Sequence, residues 1–110
     1  MTKNRRVKKI IDEVVDKIVT EYAPEKIILY GSYAYGKPTT DSDIDLFIIK
    51  DTDKRRVDRF VEVSRMIYRP GLDIPIEPMV YTPEEVKKRL GMGDQFVEEV
   101  MTRGEVLYAR

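Results

Sequence analysis

Gly31-Ser32-Tyr33-Ala34-Tyr35-Gly36-Lys37-Pro38-Thr39-Thr40-Asp41-Ser42-Asp43-Ile44-Asp45-Leu46 is the stretch on which the reading of this chain turns. Before it, residues 26–30 (KIILY) are β-branched and aromatic, the pattern of a short buried strand that Gly31 breaks. After it, residues 43–50 (DIDLFIIK) read as a second strand. Residues 32–42, with Gly36 and Pro38, are expected to be a loop holding at most one short helical turn. Asp43 and Asp45 lie two apart on the second strand, so their side chains leave the same face. At about 3.3 Å per residue their Cα atoms are roughly 6.6 Å apart, a span carboxylates can close around one or two metal ions.

Outward from this stretch the periodicity is clear. Val7, Ile10, Ile11, Val14, Val15, Ile18, Val19 and Tyr22 recur at helical spacing over residues 4–22, and Pro24 ends that helix. Residues 53–68 return to the helical period with Val57, Phe60, Val61, Ser64 and Ile67 on one face, and Arg69-Pro70-Gly71 turns the chain. Residues 74–81 form a third strand, whose Pro75 and Pro78 cannot donate to a ladder and so place it at an edge or a bulge. Thr82-Pro83-Glu84-Glu85 combines an N-cap hydroxyl, proline at the first helical position and acids in the first turn, and that helix ends near Gly91. Asp94 caps a last helix to about Arg103, and residues 105–108 form a closing strand. The fold class is α/β (α+β): a small mixed β-sheet flanked by helices, in one domain over residues 1–110.

Composition narrows the chemistry. The 110 residues carry 20 basic and 20 acidic side chains, a net charge of zero that argues against direct nucleic-acid binding. There is no cysteine and no histidine, which removes disulfides, thiolate or imidazole metal sites, and cysteine or histidine catalysis. No run approaches the roughly 18 apolar residues of a membrane span, and the basic N-terminus has no apolar stretch behind it. The expectation is a cytoplasmic protein with no membrane contact. Its chemistry must run on carboxylates, hydroxyls, Lys, Arg, Tyr and the backbone.

Two acids at the head of an otherwise apolar strand repel each other unless a cation resolves the conflict. With only oxygen ligands the cation should be hard, and Mg2+ is the natural choice, completing its shell with water and substrate phosphates. Gly31-Ser32 ends the preceding strand, where a residue without Cβ lets a phosphate approach the backbone, and the N–H groups and the Ser32 hydroxyl can hold triphosphate oxygens. If a short helix starts at Ser32, its N-terminal end adds favourable potential. Ser42, beside Asp43, and Lys37 complete the candidate nucleotide contacts. Asp73, Pro75, Glu77, Met79 and Tyr81 share parity on the third strand, and Glu77, read as a mid-strand acid among apolar residues, is the candidate ligand of a second metal and the group that activates an attacking hydroxyl. The bland alternative is a plain turn at Gly-Ser, solvated loop acids and an edge-strand charge at Glu77. Gly-Ser, ten residues, then Asp-x-Asp arises by chance in about one chain in a thousand at these frequencies, and the flanking strands weigh further against coincidence. Tyr30, Tyr33, Tyr35 and Tyr81 could stack on a base, but half-buried sheet residues are the preferred account of Tyr30 and Tyr81. The runs Lys54-Arg55-Arg56 and Lys87-Lys88-Arg89 read as solvated helix faces.

GSYAYGKPTTDSDIDL resembles the signature of the minimal nucleotidyltransferases of the DNA polymerase β superfamily, and the likeness extends over nearly the whole chain, through VYTPEE at 80–85 to GEVLY at 104–108. The resemblance implies that fold, Gly31 and Ser32 as triphosphate contacts, Asp43 and Asp45 as metal ligands, and Glu77 as the third carboxylate. Two residues depart from the family's usual pattern: Glu77 where Asp is commoner, and Tyr35 where many members carry Arg, which leaves Lys37 as the candidate cation. The family also implies a role as antitoxin to a HEPN-domain toxin, by transfer of AMP from ATP to a tyrosine hydroxyl of that partner, with two Mg2+ ions. A chain of this length has room for the catalytic core alone, so the acceptor is expected to come from outside. Two alternatives stand beside this: an antitoxin that blocks its HEPN partner by binding alone, and a nucleotidyltransferase for a small molecule of the aminoglycoside type, which needs a pocket that a homo-oligomer would have to supply.

Overall fold

The structure, a computed structural model, describes residues 2–110. The chain runs α1 (Arg5–Tyr22), β1 (Lys26–Tyr30), α2 (Ser32–Tyr35), β2 (Ile44–Ile49), α3 (Arg56–Ile67), β3 (Ile76–Tyr81), α4 (Pro83–Gly91), α5 (Gln95–Arg103) and β4 (Glu105–Ala109). The strands form one mixed sheet in the order β3-β2-β1-β4. β1 pairs antiparallel with β2 and with β4, while β2 and β3 are parallel, joined by α3 as the crossover helix. β3 is an edge strand, as its prolines require: Pro78 pairs with Leu46, and Pro75 stays outside the strand.

Alternation along the central strands divides the apolar residues between two faces. Ile27, Leu29, Ile44, Leu46, Ile48 and Val80 pack against Val7, Ile10, Ile11, Val14 and Ile18 of α1 and against Val63 and Ile67 of α3. The opposite face, Ile28, Phe47, Ile49 and Tyr81, is closed by Val86 of α4 and by Val97 and Val100 of α5. β2 is therefore apolar on both sides, and Asp45 interrupts it on the α4–α5 face near the strand's beginning.

Local chemistry sets the helix ends. The Asn4 side chain accepts hydrogen bonds from the N–H groups of Arg6 and Val7, capping α1. At the other end Ala23 takes the left-handed conformation (φ 51°), and Lys50 Nζ donates to the carbonyls of Tyr22 (2.6 Å) and Ala23 (3.3 Å). Thr82 and Glu85 form a reciprocal capping box at the start of α4. Arg59 of α3 is buried and donates to the carbonyl of Lys54 (2.7 Å), to the carbonyl of Val80 on the outer edge of β3 (3.3 Å) and to Glu85 (2.7 Å). One side chain thus ties α3, the edge strand and α4 together. Among the described residues no helix is long and apolar enough to cross a membrane.

Candidate active site

Strand pairing brings the predicted acids to one place. In the parallel ladder Asp45 stands opposite Glu77, and in the antiparallel ladder it stands opposite Tyr30, whose successor is Gly31. Asp43 lies one residue before β2. The carboxyl of Asp45 is pushed up to about 6, first by burial and then by the negative charges of Asp43 and Glu77. The Tyr30 hydroxyl is held above its ordinary value by burial and by the charges of Asp45 and Glu77. Both shifts record several acids facing one poorly solvated spot.

Gly31 is required there on two counts. Its backbone (φ 77°, ψ −160°) belongs to a region that only glycine occupies readily. A methyl group at this position would also overlap Oδ2 of Asp45. Sequence reasoning assigned the missing Cβ to phosphate approach, whereas in this structure the Asp45 carboxylate lies in that space. α2 follows as a single turn in which the N–H groups of Ala34 and Tyr35 donate to the Gly31 carbonyl. Among the described hydrogen bonds none takes the N–H of Ser32 or Tyr33, so both donors remain for an incoming group.

Beside the acids is a groove of about 610 Å³ lined by Tyr30, Asp45, Glu77, Met79, Val57 and Phe60, with Arg56 at its rim. An aromatic cluster backs it: Tyr30 meets Phe96 edge-to-face at 5.5 Å, and Phe47 stacks on Tyr81 at 4.8 Å. Arg56 lies over the Tyr81 ring at 4.3 Å and Arg103 over the Tyr35 ring at 4.3 Å. Neither arginine was singled out from the sequence. Arg56 sits in a basic run read as a solvated face, and Arg103 looks like an ordinary cation at a helix end. Tyr33 is a core residue, and Tyr30 and Tyr81 are sheet residues, as preferred above.

Other candidates fall as follows. Ser42 is held within its loop, its hydroxyl accepting from the Thr39 N–H at 2.8 Å, and Lys37 is exposed just after α2. Asp73 lies outside β3 and pairs with Arg6, so its shared parity with Glu77 is not realised on a strand. Glu77 is exposed, which removes the burial cost inferred from its neighbours; register with Asp45 is what recommends it. Among the described residues no three acids are already drawn into a closed ligand set. The donor chemistry nevertheless fits a hard divalent cation: the charges of Asp43 and Glu77 add to burial in driving the Asp45 carboxyl up, and a cation between the three would relieve that repulsion.

Known proteins share this organisation. Residues 7–106 match the nucleotidyltransferase domain family. Two proteins of Methanocaldococcus jannaschii are similar over most of their lengths, both named "Putative protein adenylyltransferase". MJ1305 is 32% identical across 92% of this chain and 71% of its own, and MJ0604 is 33% identical across 91% of this chain and 96% of its own. A crystal structure from Sulfolobus solfataricus, described as that of a "putative nucleotidyltransferase", superposes with a TM-score of 0.67 at 23% identity over 96% of this chain and 82% of that one, a likeness of fold. With a family match across almost the whole chain and relatives above 30% identity aligned along it, this protein belongs to the nucleotidyltransferase domain family and is a nucleotidyltransferase.

Proposed function

We propose that this protein transfers AMP from ATP to a hydroxyl, a tyrosine of a partner HEPN-domain toxin, and so acts as its antitoxin. The observation that carries the reading is Asp45 standing between Gly31 and Glu77, with Asp43 close enough to raise its pKa. The names of the two archaeal relatives support protein as the acceptor class. In the reaction the hydroxyl oxygen attacks the α-phosphorus, the bond from that phosphorus to the bridging oxygen of the β-phosphate breaks, and pyrophosphate leaves. The N–H groups of Ser32 and Tyr33 and the Ser32 hydroxyl hold the polyphosphate, with Lys37 and Ser42 as further contacts. Asp43, Asp45 and Glu77 hold the divalent cations, Mg2+ and two in number. Such cations neutralise the α-phosphate and the leaving pyrophosphate when bound. Glu77, exposed and opposite Asp45, accepts the proton of the attacking hydroxyl.

Incubation with α-labelled ATP, Mg2+ and a HEPN-domain partner is expected to label that partner. Asp43→Ala should abolish labelling while the melting curve stays cooperative, and a variant that labels normally refutes the assignment. Val57 and Phe60, more than 40% exposed along the groove, favour a protein acceptor over a small molecule. The same surface also suits an antitoxin that works by binding alone, in which case toxin neutralisation would survive loss of both Asp43 and Asp45.

A further inference from the structure

The nucleotide site described so far is rich in acids, and its basic candidate, Lys37, is an exposed loop residue. A nucleoside triphosphate brings several negative charges of its own, and divalent cations near Asp45 serve the α-phosphate end. A cation for the rest of the tail must sit beyond Asp45, on the α2 side of the Gly31–Ser32 turn. The fold supplies one from a distant part of the chain.

β4 pairs antiparallel with β1, and Glu105 is opposite Leu29. Gly104 and Arg103 come just before that pair, Gly104 as the C-cap and Arg103 as the last residue of α5. The chain is pressed close at this point, since a Cβ on Gly104 would overlap the Ile28 side chain and the Val100 carbonyl. The Gly104 N–H donates to that same carbonyl at 2.9 Å, which fixes the end of α5 against β1. Arg103 therefore has a defined starting point, and its guanidinium lies 4.3 Å from the centroid of the Tyr35 ring. Tyr35 belongs to the single turn of α2, and its N–H donates to the Gly31 carbonyl at 3.1 Å. The guanidinium also meets Glu99 one helical turn earlier, with Nη1 3.0 Å from Oε1.

We propose that Arg103 binds the polyphosphate tail of the nucleoside triphosphate, with the Tyr35 ring holding its guanidinium beside the Gly31–Ser32 turn. This rests on the reading of that turn as the triphosphate site. Several features suit the task. A planar guanidinium grips two phosphate oxygens at once while its face stays on the ring. The pair with Glu99 is a surface contact between half-exposed side chains, weak enough to be exchanged for a phosphate. The cation rests on the α2 side of Asp45, clear of Glu77 across β2, so it can meet the tail without neutralising the acids that hold metal.

The test measures binding of α,β-methylene-ATP with Mg2+, an analogue that cannot transfer AMP, by titration calorimetry. Arg103→Gln should weaken binding about ten-fold, the loss of one charge-assisted contact, and Arg103→Lys should recover part of that loss. Glu99→Gln, which frees the guanidinium, should bind at least as tightly as the unaltered protein. A loss below three-fold in Arg103→Gln, or no recovery with lysine, overturns the role of Arg103 and leaves the nucleotide site standing. An unaltered protein that does not bind the analogue overturns the site itself and Arg103 with it.

Discussion

Asp45 is the residue at which fold and chemistry oppose each other. It is partly buried at the head of a strand whose other members are core, and Asp43 and Glu77 add their charge to its own. Its carboxyl is pushed up to about 6, above the value near 4 of an unfolded chain. A raised carboxyl pKa means that the folded state holds the proton more tightly than the unfolded state. The penalty is therefore absent below about pH 4, grows as pH rises towards 6, and is complete at neutral pH. Without metal, Asp45→Asn is expected to raise the melting temperature at pH 7 and to flatten its dependence between pH 4 and 6. Adding Mg2+ should raise the melting temperature of the unaltered protein and leave Asp45→Asn nearly unmoved. A thermal scan over pH, with and without Mg2+, checks both, and equal responses from the two proteins would remove Asp45 from the proposed metal site. Its neighbour Gly31 was legible as a functional position because Gly-Ser ends a strand two residues after Leu29, yet its steric reason was not: the Asp45 carboxylate that fills the space comes from another strand. Arg103 was illegible for the same cause, since the packing of α5 on the sheet brings it to α2.

Elements whose ends are written in neighbouring residues were read almost to the residue. Thr82 and Asp94 both cap the helices that follow them, because an N-cap is decided within three residues. The beginning of β3 was not, since nothing local tells Asp73 to leave the ladder and pair with Arg6, 67 residues earlier. Two element ends invite measurement. Ala23 closes α1 with φ 51°, a conformation costing an L-residue roughly 1 kcal/mol and glycine very little. Ala23→Gly should therefore raise the urea midpoint by an amount worth about 1 kcal/mol with an unchanged slope. Arg59 works in the opposite sense. It satisfies the Lys54 and Val80 carbonyls and shares Glu85 with the α4 capping box. Burial alone would raise the Glu85 carboxyl, but the Thr82 N–H and Arg59 outweigh it and hold it below the usual range. Arg59→Ala leaves two carbonyls without this donor and takes the cation from Glu85 at once, and a loss of about 3 kcal/mol in urea unfolding is expected.

At the scale of the whole molecule the strand order would set the direction of the proposed transfer. From one side to the other run Glu77 on β3, Asp45 on β2, and Tyr30 at the end of β1, followed by Gly31. Displacement at phosphorus places the attacking and leaving oxygens in line on opposite sides. If the polyphosphate lies on the Gly31–Ser32 turn, pyrophosphate departs towards β1, and the acceptor must arrive across Glu77. That is where the groove opens, walled by Met79 from the sheet and by Val57 and Phe60 from α3. Neither α3 residue has a place in the core, since Val57 is 57% and Phe60 42% exposed, whereas Val63 and Ile67 of the same helix are buried. Phe60→Ser should then spare folding and the KM for ATP, and raise the KM for the protein acceptor about ten-fold, the cost of losing one aromatic contact of 1–2 kcal/mol at an interface. Steady-state labelling with each substrate varied in turn separates the two constants. If the KM for ATP moves instead, the groove holds the nucleoside, and the acceptor enters from the β1 side.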